Sequence, residues 1–347
     1  MSRVLFTSDL PAYHWQRLAI AARDEYEILF CGDGSPVNAW IVYDSLPETM
    51  TQTCPSKNTV LILPHASELS RLSVTYTNQF GILWTPDSTI RHPRRLLRPQ
   101  YPPWQYGLHE SLAHGAPLNM ADLAALDPPT SKPKLLSVIC DGTALTYEQR
   151  HARKFVDRLA LQFGAEIDVF LQLVPNSDSQ SARYMKLTRD HALAPEHFVD
   201  RADVIWPYKY HLVIEASRAS RFMSELLADA FLGWSYPIYF GGAEAYHQFP
   251  EGSFLAIDIH APDTATAMIT DVLRANTYES SLARLDAARQ HVIKNLNIFS
   301  VLSEFLHREC PPSQFSRVTL LPPNRRARLF FHSLRNAFQR RLAPRVA

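Results

Sequence analysis

Residues 208–258 read YKYHLVIEASRASRFMSELLADAFLGWSYPIYFGGAEAYHQFPEGSFLAID, and this stretch decides the fold class of the chain. It begins with a short apolar run and continues through a polar loop into a segment with helical periodicity. A second apolar run follows and ends in Gly241–Gly242. A strand, a loop, a helix and a second strand in this order form half of a nucleotide-binding α/β unit.

The residues around this segment extend the same alternation. Segment 172–204 is polar and is expected to be rich in loops, and Gly164 is expected to end a helix. Strands are predicted at Leu135–Cys140, Ile167–Leu171, His211–Ile214 and Tyr236–Phe240, and helices at Thr146–Phe163, Arg221–Leu232, Thr264–Arg274 and Ser281–Phe299.

The first hundred residues contain apolar runs separated by segments that favour helices or turns. Strands that alternate with helices predict a parallel sheet covered on both faces. A proline-rich stretch, 93–133, follows and is poor for continuous helix or central strand. The runs predicted to be strands are Val4–Phe6, Tyr26–Phe30, Ala39–Tyr43, Val60–Leu63 and Gly81–Trp84.

These patterns predict an α/β protein with two doubly wound, Rossmann-like domains that face a cleft. The predicted divisions are residues 1–130, which include the proline-rich linker, residues 131–310, and a basic tail, 311–347. A boundary is expected at Pro128–Pro133. In such domains ligands bind at the carboxyl ends of the strands.

Composition narrows the class of protein. The 347 residues are 46% hydrophobic and 20% charged, which suits two ordinary domains with real cores. The four cysteines lack metal-ligand or redox spacing, and the sequence shows neither a signal peptide nor a membrane-spanning run. A cytoplasmic protein is therefore expected.

The tail after Glu309 has eight arginines and no acidic residue. Leu329, Phe330, Leu334 and Phe338 are spaced as on one face of a helix. This pattern is typical of an interfacial helix, so peripheral contact with the inner face of a membrane is one expectation. Packing of the apolar stripe on the body of the protein is the other. No nucleic-acid partner is expected, because no recognised binding module accompanies the basic patch.

The segment from Tyr208 resembles the donor-binding segment of glycosyltransferase family 10, the α-1,3/1,4-fucosyltransferases. That family typically shows Tyr-Lys-Tyr/Phe, an apolar run, Glu-Asn-Ser, Tyr-x-Thr-Glu-Lys and a helix leading to Pro-Ile/Val-Tyr. Residues 135–170, LLSVICDGTALTYEQRHARKFVDRLALQFGAEIDVF, resemble a second family run. In the first half AWIVYDSLPE and PPWQYG are weaker matches. Animal members of the family carry an N-terminal membrane anchor. Since the sequence shows no membrane-spanning run, it is expected to resemble a bacterial-type member.

The resemblance implies the GT-B fold and transfer of a sugar, with inversion, from a nucleotide-sugar donor to a hydroxyl of a glycan acceptor. The family donor is GDP-fucose. The first domain would then lie on the acceptor side and the second would bind the donor. No cofactor is expected. No metal is expected either, because no Asp-x-Asp triplet occurs in the sequence.

The resemblance also implies a donor-binding set. Arg150 matches a family arginine that contacts the diphosphate, Glu215 matches the glutamate of Glu-Asn-Ser, and Glu225 matches a glutamate that contacts the ribose. Each residue also has an ordinary structural interpretation. Arg150 could be a solvated helix arginine, and Glu215 could be a strand-end carboxylate paired to Lys209 or Arg218. Glu225 could be a first-turn glutamate that the helix dipole favours. The nucleotide-sugar-binding residues expected in full are Arg150, Glu215, Ser217, Arg221, Phe222, Ser224 and Glu225.

Several motif residues differ from the family pattern. The family lysine is Leu226 here, its tyrosine is Phe222 and its threonine is Ser224. Loss of the lysine removes a phosphate-binding cation, which Arg218 or Arg221 in the preceding loop could replace. Those arginines could equally form a solvated basic loop.

The catalytic base is expected at His65. The family has a glutamate after a first-domain strand, and the matching place here is VLILPHASELS. An imidazole is a credible base at neutral pH, and a loop histidine without a role is the alternative. If His65 is not the base, Glu68, which lies close behind, and Asp44 are the next candidates. Two further hypotheses on the function stay open. The protein could be a degenerate family member that binds nucleotide or glycan without turnover, or a transferase with a different nucleotide-sugar donor.

Overall fold

The computed structural model describes residues 2–19, 26–63, 73–141, 147–173, 183–187, 200–216, 218 and 222–323. The chain divides into two compact units. The first consists of Met1–Pro103 and Asn295–Ala347, and the second of Trp104–Lys294.

The elements follow in chain order, and two short 3₁₀ turns, Ser56–Asn58 and Gly164–Glu166, lie among them. They are β1 Ser2–Ser8, α1 Ala12–Gln16, β2 Tyr26–Leu29, β3 Ala39–Tyr43, β4 Met50–Cys54, β5 Thr59–Ile62, α2 Val74–Thr77, β6 Ile82–Thr85, β7 Arg95–Leu97, α3 Met120–Ala125, β8 Lys134–Asp141, α4 Tyr147–Phe163, β9 Ile167–Leu173, β10 Arg183–Lys186, α5 Arg201–Ile205, β11 Tyr208–Ile214, α6 Glu225–Leu232, β12 Tyr236–Phe240, α7 Glu244–Gln248, β13 Leu255–Ala256, α8 Pro262–Arg274, α9 Thr277–Ser280, α10 Leu282–Asn295, α11 Ile298–Glu309 and β14 Ser316–Leu320.

In the described residues, the first unit is built on a parallel six-stranded sheet in the order β2-β1-β3-β5-β6-β7. Phe6, Ile41, Val60 and Ile82 form one row across the sheet, and all four are buried. Apolar clusters cover both faces, as expected for a parallel sheet whose strands are continuous apolar runs. The strands predicted in the first hundred residues are confirmed.

The chain returns to the first unit near its C-terminus. Leu302 and Phe305 of α11 join the cluster around Phe6 and Trp84. Strand β14 pairs antiparallel with β4. The second unit therefore ends before α11 and not at residue 310 as the sequence suggested, because the apolar stripe of α11 packs on the first sheet. The predicted helix Ser281–Phe299 is divided into α10 and the beginning of α11. Helix α11 begins after Asn297, whose side chain is its N-cap.

The second sheet, as far as the structure describes it, has the order β10-β9-β8-β11-β12-β13. Among the described strands of this sheet, only β10 runs antiparallel to its neighbour. The strand order reverses between β8 and β11, which is the switch point where doubly wound sheets bind ligands. The prediction of two doubly wound α/β domains is confirmed. The cleft between them stays a prediction.

Segment 172–204, predicted to be rich in loops, contains β10 and α5. Both are too short for periodicity to reveal them, although α5 begins with a capping box formed by Asp200 and Asp203. The proline-rich stretch also contains regular structure, namely β7 and α3.

The boundary near Pro103 lies earlier than the predicted boundary at Pro128–Pro133. The residues that follow it are attached to the second unit by specific contacts. Asp229 accepts hydrogen bonds from the backbone N–H groups of Gln105 and Tyr106, at 3.1 and 3.2 Å, and Arg289 donates to the carbonyl of Leu123. Prolines marked an irregular segment here but not the residue at which the compact units divide.

None of the helices in the described ranges combines the length and the apolar character that a membrane-spanning segment needs. The predicted amphipathic helix around Phe330 and Phe338 lies outside the described residues. Its role therefore stays a prediction.

Candidate functional site

Glu215 lies at the switch point of the second sheet, directly after β11. Its side chain is only 1% exposed. The Ser224 backbone N–H donates to Glu215 Oε1 at 3.1 Å, and the Ser224 hydroxyl accepts the Leu226 N–H at 3.2 Å as the N-cap of α6. These contacts join the two ends of the loop between β11 and α6.

The second carboxyl oxygen of Glu215 is buried and has no hydrogen-bond partner within the described residues. Burial raises the pKa of Glu215 to about 8; the hydrogen bonds from Ser224 lower it and the charge of Glu225 raises it. The group is therefore mostly protonated at neutral pH. A neutral carboxyl group can donate a hydrogen bond as well as accept one.

Tyr239 and Gly241 enclose this carboxyl group from β12. A Cβ on Gly241 would overlap Tyr239 Oη and lie 2.6 Å from Glu215 Cγ, so only glycine fits at this point. The Tyr239 hydroxyl, near the Gly242 amide, is buried and makes no hydrogen bond of normal geometry with described residues. Two unsatisfied buried polar groups at a switch point are a candidate ligand site.

Glu225, the predicted ribose ligand, is the first residue of α6 and takes part in an internal ion network. Its Oε1 lies 3.1 Å from Nη1 of Arg201 and accepts a hydrogen bond from Gln105 Nε2 at 3.2 Å. The Glu225 side chain is 19% exposed. One of its two oxygens is thus used inside the protein.

Arg201 is the centre of this network. Its guanidinium is 1% exposed and contacts Asp229 Oδ2 at 2.6 Å and Tyr184 Oη at 2.7 Å. Burial raises the pKa of Asp229 to about 6 although Arg201 lowers it, so the Asp229 carboxylate is ionised at neutral pH. The network attaches α5, α6, β10 and the segment at Gln105 to one another.

Sequence reasoning missed Arg201 and Asp229. Arg201 lay in a segment without periodicity. Asp229 did carry a signal, because it is a carboxylate in the middle of the otherwise apolar run LLADAFL. A charge in such a position requires a buried partner.

The remaining predicted donor-binding residues are distributed as follows. Ser224 is the N-cap of α6 and contacts Glu215, and Phe222 is buried. Arg150 lies exposed in the first turns of α4, the helix that follows β8. Ser217 and Arg221 lie outside the described residues. The structure thus brings Glu215, Ser224 and Glu225 together at the start of α6.

In the first unit the predicted base His65, and Glu68, lie outside the described residues. Asp44 is described and follows β3 at the carboxyl end of the sheet. Its φ is +62°, and the Ser45 N–H donates to the Tyr43 carbonyl at 2.8 Å, which defines a tight γ-turn. A non-glycine residue in this conformation is strained, and such strain is concentrated at functional sites.

Among the described residues no group of three or more His, Cys, Asp or Glu side chains is arranged to hold a metal ion. The expectation that the protein uses no metal or cofactor stays a prediction.

No model of a known protein family matches the sequence, and no curated protein matches it significantly. Solved structures do. An α1,3-fucosyltransferase crystallised with GDP is 14% identical, with 86% of this chain and 92% of that chain covered and a TM-score of 0.46. The glycotransferase of kitacinnamycin is 9% identical, with 89% and 99% covered and a TM-score of 0.42. A DNA-modifying β-glucosyltransferase is 7% identical, with 88% and 98% covered and a TM-score of 0.44. Membership of family 10 stays a prediction from sequence motifs.

Proposed function

We propose that the protein is an inverting glycosyltransferase that uses a nucleotide-sugar donor and transfers the sugar to a hydroxyl of a glycan acceptor. One observation carries the proposal. The switch point of the second sheet holds two buried polar groups, on Glu215 and Tyr239, that have no hydrogen-bond partner among the described residues, and they lie beside a glycine that leaves no room for a side chain. The sequence motifs around Glu215 favour GDP-fucose as the donor.

The proposed reaction needs a base that removes the proton from the acceptor hydroxyl as its oxygen attacks the sugar carbon. The bond from that carbon to the diphosphate breaks, and the nucleoside diphosphate leaves. His65 is the proposed base, and the strained Asp44 is the alternative. The donor would be held by the second unit, without metal or cofactor.

We also propose a cytoplasmic location, in which the arginine-rich tail has two candidate roles: contact with the inner membrane surface, or packing of its apolar stripe on the body of the protein. Leu329 and Phe330 begin the apolar stripe of this tail.

A protein that binds nucleotide or glycan without turnover is the second candidate. Glu225 favours it, because one of its carboxylate oxygens is used by Arg201 and Gln105. Leu226 favours it as well, since it stands where a phosphate-binding cation is expected. A transferase for a different nucleotide sugar fits the same observations.

A thermal-unfolding panel with GDP, UDP, CDP and CMP tests the proposed donor class. A ligand at 100 times its Kd stabilises the folded protein by about 2.7 kcal/mol, which raises Tm by several degrees. We expect one nucleotide, GDP by the motifs, to shift Tm well above the others. If none shifts it at millimolar concentration, the donor is not a sugar linked to any of these four nucleotides.

Turnover separates the two candidates. Nucleoside diphosphate release from the matching nucleotide sugar is measured with glycan acceptors for the wild type, His65→Ala and Asp44→Asn. Loss of the true base should lower the rate by about 10²–10⁴-fold with nucleotide affinity unchanged. His247→Ala, an exposed histidine of α7, is the control. Nucleotide binding without any release by the wild type would support the non-enzymatic candidate.

A further inference from the structure

The N-terminus of α6 is the usual place for a phosphate in such a unit, but here the chain already fills it. The backbone N–H of Ser224 donates to Glu215, and that of Leu226 donates to the Ser224 hydroxyl. Glu225 adds a second carboxyl group in the first turn. A phosphate at this end of α6 would meet the Glu225 carboxyl group and two N–H donors that are already occupied, which favours a cation elsewhere in the loop as the anion site.

Arg218 is a cation in the loop that joins β11 to α6. It is exposed, and its Cζ lies 5.3 Å from the centre of the Phe240 ring. Within the described part of the chain it makes no ion pair with a carboxylate. Stacking on an aromatic face orients a guanidinium without neutralising it, and leaves the N–H groups along its edge for an anion.

Phe240 is itself held firmly in place. It is the last residue of β12 and is buried. The His260 ring packs edge-on against it at 5.5 Å, and His260 Nε2 lies 3.0 Å from Glu148 Oε2 of α4. The His151 ring lies 4.9 Å from that of His260. The aromatic platform under Arg218 is therefore supported from α4 and from the loop before α8.

We propose that Arg218, positioned by Phe240, binds the diphosphate of the nucleotide donor. This proposal rests on the proposed function and specifies which residue binds the phosphate groups of the donor. The guanidinium belongs to the loop after β11 and packs on the last residue of β12, next to the switch point where the sheet binds ligands. Its planar fork matches phosphate oxygens two at a time. Phe240 and His260 are positioning residues and need not touch the ligand.

Calorimetric titration tests this assignment with GDP, UDP, ADP and CDP, with the corresponding nucleosides, and with inorganic pyrophosphate. Arg218→Ala should weaken the nucleoside diphosphate that the wild type prefers, and pyrophosphate, by about 10- to 100-fold. Nucleoside affinity should stay unchanged. Arg218→Lys should recover part of the loss, because it restores the charge but not the planar fork. Phe240→Leu should give a smaller loss confined to phosphate-bearing ligands.

Arg158→Ala is the matched control, because Arg158 is an exposed arginine of α4 that already pairs with Asp263. It should bind all probes as the wild type does. Circular dichroism and Tm verify that each variant is folded. Wild-type affinity of Arg218→Ala for diphosphates would overturn the assignment and leave the proposed function standing. A wild type that binds no nucleotide and no pyrophosphate would overturn both.

Discussion

The two ends of the segment from Glu215 to Asp229 bury carboxyl groups in opposite ways. Asp229 is fully buried, lies 2.6 Å from a guanidinium and accepts hydrogen bonds from two backbone N–H groups. Glu215 is equally buried, but it accepts one backbone N–H, faces no cation among the described residues and leaves one oxygen unsatisfied. Glu215 contacts Ser224, the N-cap of α6, whereas Asp229 lies in the middle of that helix.

The difference indicates which carboxyl group is structural. A fully satisfied buried network fixes one packing arrangement, whereas an unsatisfied polar group is tolerated only where something else compensates for it. The Asp229 region therefore holds the second unit together. The Glu215 region is the one where a ligand would complete the hydrogen bonding.

The largest effect is expected from Arg201→Met. This change removes the guanidinium and leaves the buried Asp229 and the partly exposed Glu225 without their cation. Breaking a buried ion pair from one side costs about 3–5 kcal/mol of stability. The free energy of unfolding, measured by urea denaturation, checks the size of the loss. Arg308→Met is the control, because Arg308 of α11 forms an exposed pair with Glu304 and should lose less than about 1 kcal/mol.

A double-mutant cycle with Asp229→Asn sharpens this result. Asparagine keeps an oxygen for the Gln105 and Tyr106 N–H groups but carries no charge. The double variant should therefore be more stable than the sum of the single losses predicts. Simple additivity would mean that Arg201 acts through packing alone, and the contrast with Glu215 would lose its electrostatic basis.

Glu215→Gln should change how stability depends on pH. The pKa of Glu215 is raised in the folded protein from about 4.5 to about 8. Its contribution is therefore fully present below pH 4.5, where both states are protonated, and is lost as the pH rises through 8. Glutamine does not ionise. Between pH 4.5 and 9 the wild type should thus lose on the order of 2–4 kcal/mol relative to the variant.

Urea denaturation at both pH values measures this difference, and Glu279→Gln, an exposed glutamate paired with Lys209, is the control. The same pH dependence in wild type and Glu215→Gln would show that Glu215 is ionised and compensated in the folded state. The two carboxyl groups would then be alike, and the contrast would fail.

Strands were predictable from sequence wherever burial left a continuous apolar run. Ala39–Tyr43 is apolar at every position and buried on both faces, so local sequence was enough to identify it. The same holds for Tyr236–Phe240. The position of Glu215 at a strand end was also readable, because it follows such a run directly.

The partners of the charged residues were not predictable in this way. Arg201 of α5 contacts Glu225 and Asp229, which lie 24 and 28 positions later in the chain, and also Tyr184 of β10. Such contacts depend on the order of strands in the sheet, which the sequence does not state. The boundary near Pro103 was missed for a similar reason, since it follows from the contacts of Gln105 with α6 rather than from the local density of prolines.

The smallest effect is expected from Gly241→Ala, which tests whether the Glu215 region is tightly packed. The new Cβ would overlap the Tyr239 hydroxyl and Glu215 Cγ, and both side chains are buried with little room to move. Overpacking of this kind costs about 1–3 kcal/mol.

Gly32→Ala is the control, since its Cβ would meet nothing closer than 3.5 Å. In Gly241→Ala/Tyr239→Phe the nearest overlapping atom is gone, so part of the stability should return. If Gly241→Ala unfolds at the wild-type urea concentration, the region around Glu215 is loosely packed, and its unsatisfied oxygen can find water instead of a ligand.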